Sequence, residues 1–421
     1  MRRERPFLPL LRDAALVAGV AVLTVQALRR WVGDRYTVPS DSMEPVLHGD
    51  PEHGDVVFVD KLASAAGRRR HDLVVVRHPE QPGQQLVKRI VARGDDLDAC
   101  CIDLIGGDVW LGPAPDRKSL RREVKQPAAA REMRVRWAAW PAAAPMVAPL
   151  DLSAAQERDG ELVLPPLSTA AAEPAALLSA EARRRRHRDR VPGALPIGSL
   201  GTAQPVDATF VDAAGVRGRA GADVGVVDCG MDLVLAAPVD ELLGTVELRD
   251  QALTFRWRPK AGAFALCSDG VVVHEGSLPQ RPGAHRVEFG LLDDRMFLCL
   301  DGREDATVAI ARRPEWPASA PDGRTGEPRT HVHVLALGAL PLRLARLEVF
   351  RDVYHTRERI VALAGQRGDW PRCLPSGTWF LLGDNCFDSR DSRQFGPVPA
   401  VTFVGVPRAV LGPWPRPRWL P

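Results

Sequence analysis

The sequence has little net charge: 56 Lys and Arg against 53 Asp and Glu leave +3 over 421 residues. A balance this close to zero gives no argument for nucleic acid as a partner. It has no Cys-x-x-Cys pair, which argues against a zinc ribbon. Its seven cysteines (Cys100, Cys101, Cys229, Cys267, Cys299, Cys373, Cys386) are scattered and odd in number. Vicinal Cys100-Cys101 reads as coincidence rather than a redox pair, and any disulfide pairing stays open. A Gly-rich phosphate loop, HExxH and GxSxG are all missing, which argues against nucleotide, zinc-peptidase and lipase chemistry. Strong helical character is confined to the first thirty or so residues. Pro (37) and Gly (36) are both plentiful, favouring strands and loops. Hydrophobic content of 45% and charged content of 26% are ordinary for a globular protein, and the length requires two or more domains.

The one long apolar stretch is N-terminal. Phe7 to Leu11 is apolar, Arg12-Asp13 interrupts it, Ala14 to Leu28 is apolar again, and Arg29-Arg30 closes it. Pro6 to Leu28 reaches the ~20 residues a membrane span needs if Arg12 and Asp13 lie near one interface. No small-residue cleavage site precedes Arg29, so the segment reads as an uncleaved anchor (1–33) rather than a removable leader. Basic residues flank both ends, so charge alone leaves its orientation undecided.

Three regions follow. From 34 to 112, β-branched runs bounded by Gly, Pro and Asp predict short strands at Asp55–Val59, Asp72–Val76, Leu86–Val91 and Val109–Leu111, buried on both faces. From 113 to 200 the text is Ala/Pro/Arg-rich and reads as an irregular connector. Its run Arg183-Arg184-Arg185-Arg186-His187-Arg188 is a solvated charge cluster, or else a contact for anionic lipid headgroups. From 201 to 355 about nine strands recur at short spacing. Asp269-Gly270 and Asp301-Gly302 mark hairpin turns, and Thr254 to Arg258 alternates as a half-buried strand should. That spacing predicts an antiparallel sandwich of concanavalin-like character. Residues 356–421 return to the earlier style, so the sandwich reads as an insertion.

Three short blocks carry the chemistry. Val38-Pro39-Ser40-Asp41-Ser42-Met43-Glu44-Pro45 follows the anchor. Gln85-Leu86-Val87-Lys88-Arg89-Ile90-Val91 places a lysine inside an apolar strand. Gly383-Asp384-Asn385-Cys386-Phe387-Asp388-Ser389-Arg390-Asp391-Ser392-Arg393 lies near the C-terminus. A lysine can accept a serine proton only when neutral, and burial among Leu86, Val87, Ile90 and Val91 favours the neutral amine. In this order, behind an anchor, the blocks resemble bacterial type I signal peptidases, over about a third of the chain (Ala14 to Leu111 and Gly377 to Gly412).

The resemblance implies Ser42 as nucleophile, Lys88 as general base, and Ser40 with the Ser42 backbone N–H as the oxyanion donors. It places Ser389, Asp391 and Arg393 in support of the dyad: Ser389 orienting the amine, and Asp391 pairing with Arg393 to fix the loop. It also implies a cytoplasmic N-terminus, a catalytic domain on the exported side of the bacterial inner membrane, and signal peptides and membrane lipids as partners. No cofactor or metal is expected. Tyr36, Val38, Pro39 and Val87 would flank an extended substrate with small residues at alternate positions. The usual Gly-Asp-Asn-Arg-Asp-Asn-Ser of the family is altered here at Cys386, Phe387 and Asp388. The turn Ala92-Arg93-Gly94-Asp95 is one residue short. His331-Val332-His333 puts two imidazoles on one strand face but lacks a third ligand, and reads as ordinary strand histidines. The expected fold is therefore mostly β: a transmembrane helix, a split all-β catalytic domain, and an inserted β-sandwich whose ligand is unknown. Two rival readings are a membrane-anchored binding protein on a degenerate peptidase frame and a processing peptidase of narrow range.

Overall fold

The computed structural model describes residues 7–420 apart from 82, 106, 126, 142–149, 168–198, 203–205, 207–225, 249–250, 279–284, 311–329, 354, 356, 358–369 and 413–416. The basic run at 183–188 lies outside the described residues. The described chain is mostly strand and divides into two compact units. One holds residues 1–102, 111–120 and 366–421; the other holds 103–110 and 121–365.

In the first unit, helix α1 (Phe7–Trp31) runs unbroken through Arg12-Asp13, and its apolar stretch Ala14–Trp31 is long enough to cross a membrane. Four antiparallel strands follow: β1 (Gly33–Thr37), β2 (Val56–Asp60), β3 (Leu73–Arg77) and β4 (Gln85–Arg93). The C-terminal strands enter among them. Phe403–Gly412 sits between β2 and β3, and Thr378–Leu382 lies on the far side of β4. Two segments separated by nearly three hundred residues thus share one sheet, with β1 at its edge.

The run Leu73-Val74-Val75-Val76 is apolar because both faces of β3 are covered. Leu73 and Val75 join Val38, Met43, Leu47, Val57 and Val59 on one side. Val74 and Val76 join Ile90, Trp379 and Leu381 on the other. A disulfide, Cys101–Cys373, closes the unit where its two halves meet, linking positions 272 residues apart.

The second unit is a sandwich of two antiparallel sheets. The central strands of one are Leu342–Arg351, Cys229–Leu235, Arg286–Leu292 and Arg295–Leu300. Those of the other are Ala252–Arg258, Glu241–Glu247 and His331–Leu337. The faces meet at Phe255 and Phe289, whose ring centroids are 5.1 Å apart. Gly244 permits that approach, since a Cβ there would sit 2.5 Å from the Phe289 ring. Asp269-Gly270 and Asp301-Gly302 have positive φ at both residues, the conformation of tight hairpin turns. Asp293-Asp294 does the same without glycine.

The stretch expected to be an irregular connector differs from that reading. Val135–Trp140 and Glu161–Leu164 both pair with Leu342–Arg351 and belong to the sandwich. Trp137 and Leu164 are fully buried there. Their burial comes from a strand two hundred residues away, which local composition does not reveal.

Candidate active site

Ser42 lies in a single turn of 3-10 helix, Asp41–Met43, reached as the chain leaves β1. Extended backbone at Ser40 (φ −146°, ψ 153°) starts that turn. Met43 and Leu47 anchor it in the core. The Ser42 carbonyl accepts a hydrogen bond from the Asn385 N–H at 3.2 Å, and the Asn385 side chain donates to the Asp41 carbonyl at 3.1 Å. The Gly383–Asn385 turn thus buttresses the serine turn from behind.

Lys88 sits on β4 directly opposite Val74 of β3, on the face it shares with Leu86 and Ile90. It is 2% exposed, and its Nζ donates to Ser42 Oγ at 2.6 Å across 46 residues of sequence. Burial pushes its amine down from the ordinary 10.5 to about 8, while Asp391 and Asp384 pull the other way. A neutral amine is therefore accessible just above neutral pH, within reach of a hydroxyl proton. Ser40 Oγ lies 3.4 Å from Ser42 Oγ, on the solvent side.

The third block folds around two buried ion pairs. Arg393 grips Asp391 through Nε at 2.8 Å and Nη2 at 2.9 Å, and Nη2 also donates to the Cys386 carbonyl at 2.7 Å. Asp391 accepts from the Gly383 N–H at 3.2 Å and caps the short helix Ser392–Phe395 through Arg393 N. The Cys386 side chain, in the place of the usual arginine, points its thiol at the Gly383 carbonyl. Arg393 holds the altered loop through the Cys386 backbone, which any residue there supplies. The short turn after β4 is pinned as well: Asp95 accepts from Ser376 Oγ at 2.6 Å and from Gly377 N at 2.8 Å.

The second pair is Arg89 with Asp384. Nε and Nη2 of Arg89 meet the two carboxylate oxygens at 2.8 and 2.7 Å, with both side chains 1% exposed. Nη1 reaches the His71 carbonyl at 2.6 Å. The sequence expectations give neither Arg89 nor Asp384 a role, so this pair was missed. The available signal was a second charge, Arg89, beside Lys88 in an otherwise apolar strand, since a buried arginine requires a carboxylate.

Ser389 is wholly buried beneath Gly383, and a Cβ at 383 would lie 2.3 Å from both Ser389 Oγ and the Ser42 carbonyl. Gly383→Ala must displace the serine turn. On the peptidase activity that the resemblance implies, kcat/KM on a preprotein should fall by about 10- to 100-fold, as a shift of ~1 Å in a reacting group causes, with the circular dichroism spectrum retained. Wild-type activity in this variant would show that the close packing has no catalytic consequence.

Of the expected substrate-flanking residues, Pro39 is exposed and Tyr36 and Val87 are half-buried. Val38 is 4% exposed and belongs to the core beneath them. In the sandwich, His331 and His333 are buried, and His331 Nδ1 lies 3.3 Å from the Thr202 carbonyl oxygen. A different group, Asp108, Asp228 and Asp293, converges closely enough to hold a cation. Arg122 bridges Asp108 and Asp228, and Lys125 meets Asp293 at 2.8 Å and Asp352 at 2.6 Å, so protein cations supply the compensating charge. Burial raises Asp352 to about 7 despite the adjacent Lys125.

A family model described as "Signal peptidase, peptidase S26" matches residues 11–100 and 345–414, which include the strands of the shared sheet together with Ser42 and Lys88. Over these two segments the chain resembles this family. Signal peptidase I of Aquifex aeolicus (strain VF5) is 40% identical over 76 residues, 18% of this chain and 28% of the relative. Signal peptidase I of Mycobacterium tuberculosis is 39% identical over 71 residues, 16% of this chain and 24% of the relative. The chain thus spans about a quarter of the length of these curated relatives. Among solved structures, the exoplasmic/lumenal domain of VIP36 aligns over 58% of this chain and 96% of its own, at 10% identity and TM-score 0.28. Caenorhabditis elegans galectin LEC-6 aligns over 30% and 83%, at 16% identity and TM-score 0.22. The peptidase S26 match breaks off at residue 100 and resumes at 345, within the sandwich strand Leu342–Arg351, so the matched region is split by the insertion.

Proposed function

We propose that this protein is a membrane-anchored serine endopeptidase that removes signal peptides from exported preproteins with a Ser42/Lys88 dyad. The observation that carries the reading is the 2.6 Å contact between a buried lysine amine and a serine hydroxyl in a family of signal peptidases. Neutral Lys88 takes the Ser42 proton as Oγ attacks the scissile carbonyl carbon. The Ser42 N–H and Ser40 Oγ donate to the oxyanion that forms. The Lys88 ammonium then gives its proton to the leaving amine as the C–N bond breaks. Water, deprotonated by Lys88, attacks the acyl ester and releases Ser42. Asp391 and Arg393 hold the loop behind the dyad, and Ser389 lies buried within it.

The edge position of β1 supports substrate binding by strand addition, with Tyr36, Pro39 and Val87 beside small side chains at alternate positions. Cleavage after small-x-small sites is what the resemblance to signal peptidases implies for such a substrate. Helix α1 supports a single-pass anchor in the inner membrane. The Cys101–Cys373 disulfide favours an oxidising compartment and hence a catalytic domain on the exported side.

Incubating a preprotein in detergent with wild type, Ser42→Ala and Lys88→Ala tests the reading. Wild type should cut after a small-x-small site, and each substitution should lower the rate by about 10⁴-fold or more. Undiminished cleavage by Ser42→Ala would remove the mechanism. A folded but inactive wild type would instead favour a binding role for the sandwich.

A further inference from the structure

The foot of α1 is fixed to the sheet. Lys61 Nζ donates to the Arg29 carbonyl at 2.8 Å, placing a cation at the helix C-terminus where the dipole favours it. Lys61 N–H donates to the Val32 carbonyl at 3.0 Å, and Arg29 Nε meets Asp34 at 2.9 Å. Beside this foot opens a groove of about 710 Å³. Arg29, Arg30, Lys61 and Arg77 line it, and Asp34 is its single carboxylate among the described residues. The excess of three positive charges equals the formal charge of the whole chain, +3. Asp34 is already engaged by Arg29 and lies 3.8 Å from Lys61.

The position of the groove identifies its occupant. The apolar stretch of α1 ends at Trp31, which is 68% exposed, as an aromatic anchor at headgroup level would be. A groove at that depth meets lipid phosphates, and guanidinium groups offer paired donors to phosphate oxygens. We infer that this groove seats the headgroup of an anionic phospholipid from the bilayer that α1 crosses, fixing the height of the catalytic unit above the membrane. The inference rests on the anchor reading of α1 and is independent of whether the dyad is active.

The test uses the full chain in detergent, titrated with phosphatidylglycerol, phosphatidylcholine or inorganic phosphate and read by native mass spectrometry. Phosphatidylglycerol should bind more tightly than phosphatidylcholine. Arg30→Gln with Arg77→Gln should weaken it about 25-fold, at about fivefold per cation removed near the surface. Lys61 is left intact because it holds the helix. Arg136→Gln with Arg346→Gln, exposed cations of the sandwich, removes the same charge elsewhere and should change nothing. Equal losses in the two double variants, or none in the first, would overturn the groove. Inorganic phosphate displacing the lipid at matched concentration would also overturn it as a lipid seat. Flotation with phosphatidylcholine vesicles, with and without phosphatidylglycerol, separates the two readings. A chain that fails to float loses its anchor; one that floats without anionic preference loses only the groove.

Discussion

The rate of hydrolysis should rise tenfold per pH unit from pH 6 and level off near pH 8. Only the neutral Lys88 amine can accept the Ser42 proton, and burial sets its pKa at about 8, so the active fraction grows as pH rises through that value. Lys88→Arg should abolish turnover across the range, because a guanidinium stays protonated. The same burial has a cost in stability. A lysine whose folded pKa lies below its unfolded value binds fewer protons in the native state between about 8 and 10.5, so stability rises with pH over that window. Below it, the native state carries a buried ammonium. Lys88→Met should therefore stabilise the first unit at pH 7 by about 2–3 kcal/mol while eliminating activity. Hydrogen exchange of the β4 amides would read this directly. Activity flat in pH from 6 to 9, or a less protected Lys88→Met protein, would contradict the assignment of Lys88 as a buried base.

Arg89→Met should be among the most damaging single changes in the first unit. It strips Asp384 of a bidentate partner at 1% exposure, and an uncompensated buried carboxylate costs about 3–5 kcal/mol. Asp384 belongs to the turn whose Asn385 N–H supports the Ser42 carbonyl, so the dyad should loosen with it. The loss should appear as early exchange in β4 and Thr378–Leu382 and as a lower kcat. Adding Asp384→Leu to Arg89→Met removes the stranded charge and should recover more than half of the stability but not the rate. Wild-type protection in Arg89→Met alone would show that the pair is not a structural tie.

Much of the candidate site was legible before folding was considered. Ser42 and Lys88 stand in short blocks whose order and residue types carry one chemistry, and strand-forming runs around Lys88 are local properties. The unbroken apolar text of β3 announced burial on both faces, and the core has one cluster on each side of it. Asp-Gly dipeptides announced hairpins because those residues tolerate positive φ. The Arg89–Asp384 pair was not legible, since its members lie 295 residues apart and each alone resembles a surface charge. The strands at 135–140 and 161–164 were missed for the same reason: their partner is the distant Leu342–Arg351.

By itself, then, the sequence marked the long apolar N-terminal helix, the mostly β character, the resemblance to the signal peptidases and the two candidate reacting side chains, because these depend on local pattern and on short ordered motifs. Tertiary structure alone decided that Phe403–Gly412 lies between β2 and β3, that Cys101 pairs with Cys373, and that a hydroxyl and an amine 46 residues apart come within 2.6 Å. Sheet order and buried charge pairing are non-local. They are settled by which surfaces exclude water together, a property of the folded chain that no window of its sequence contains.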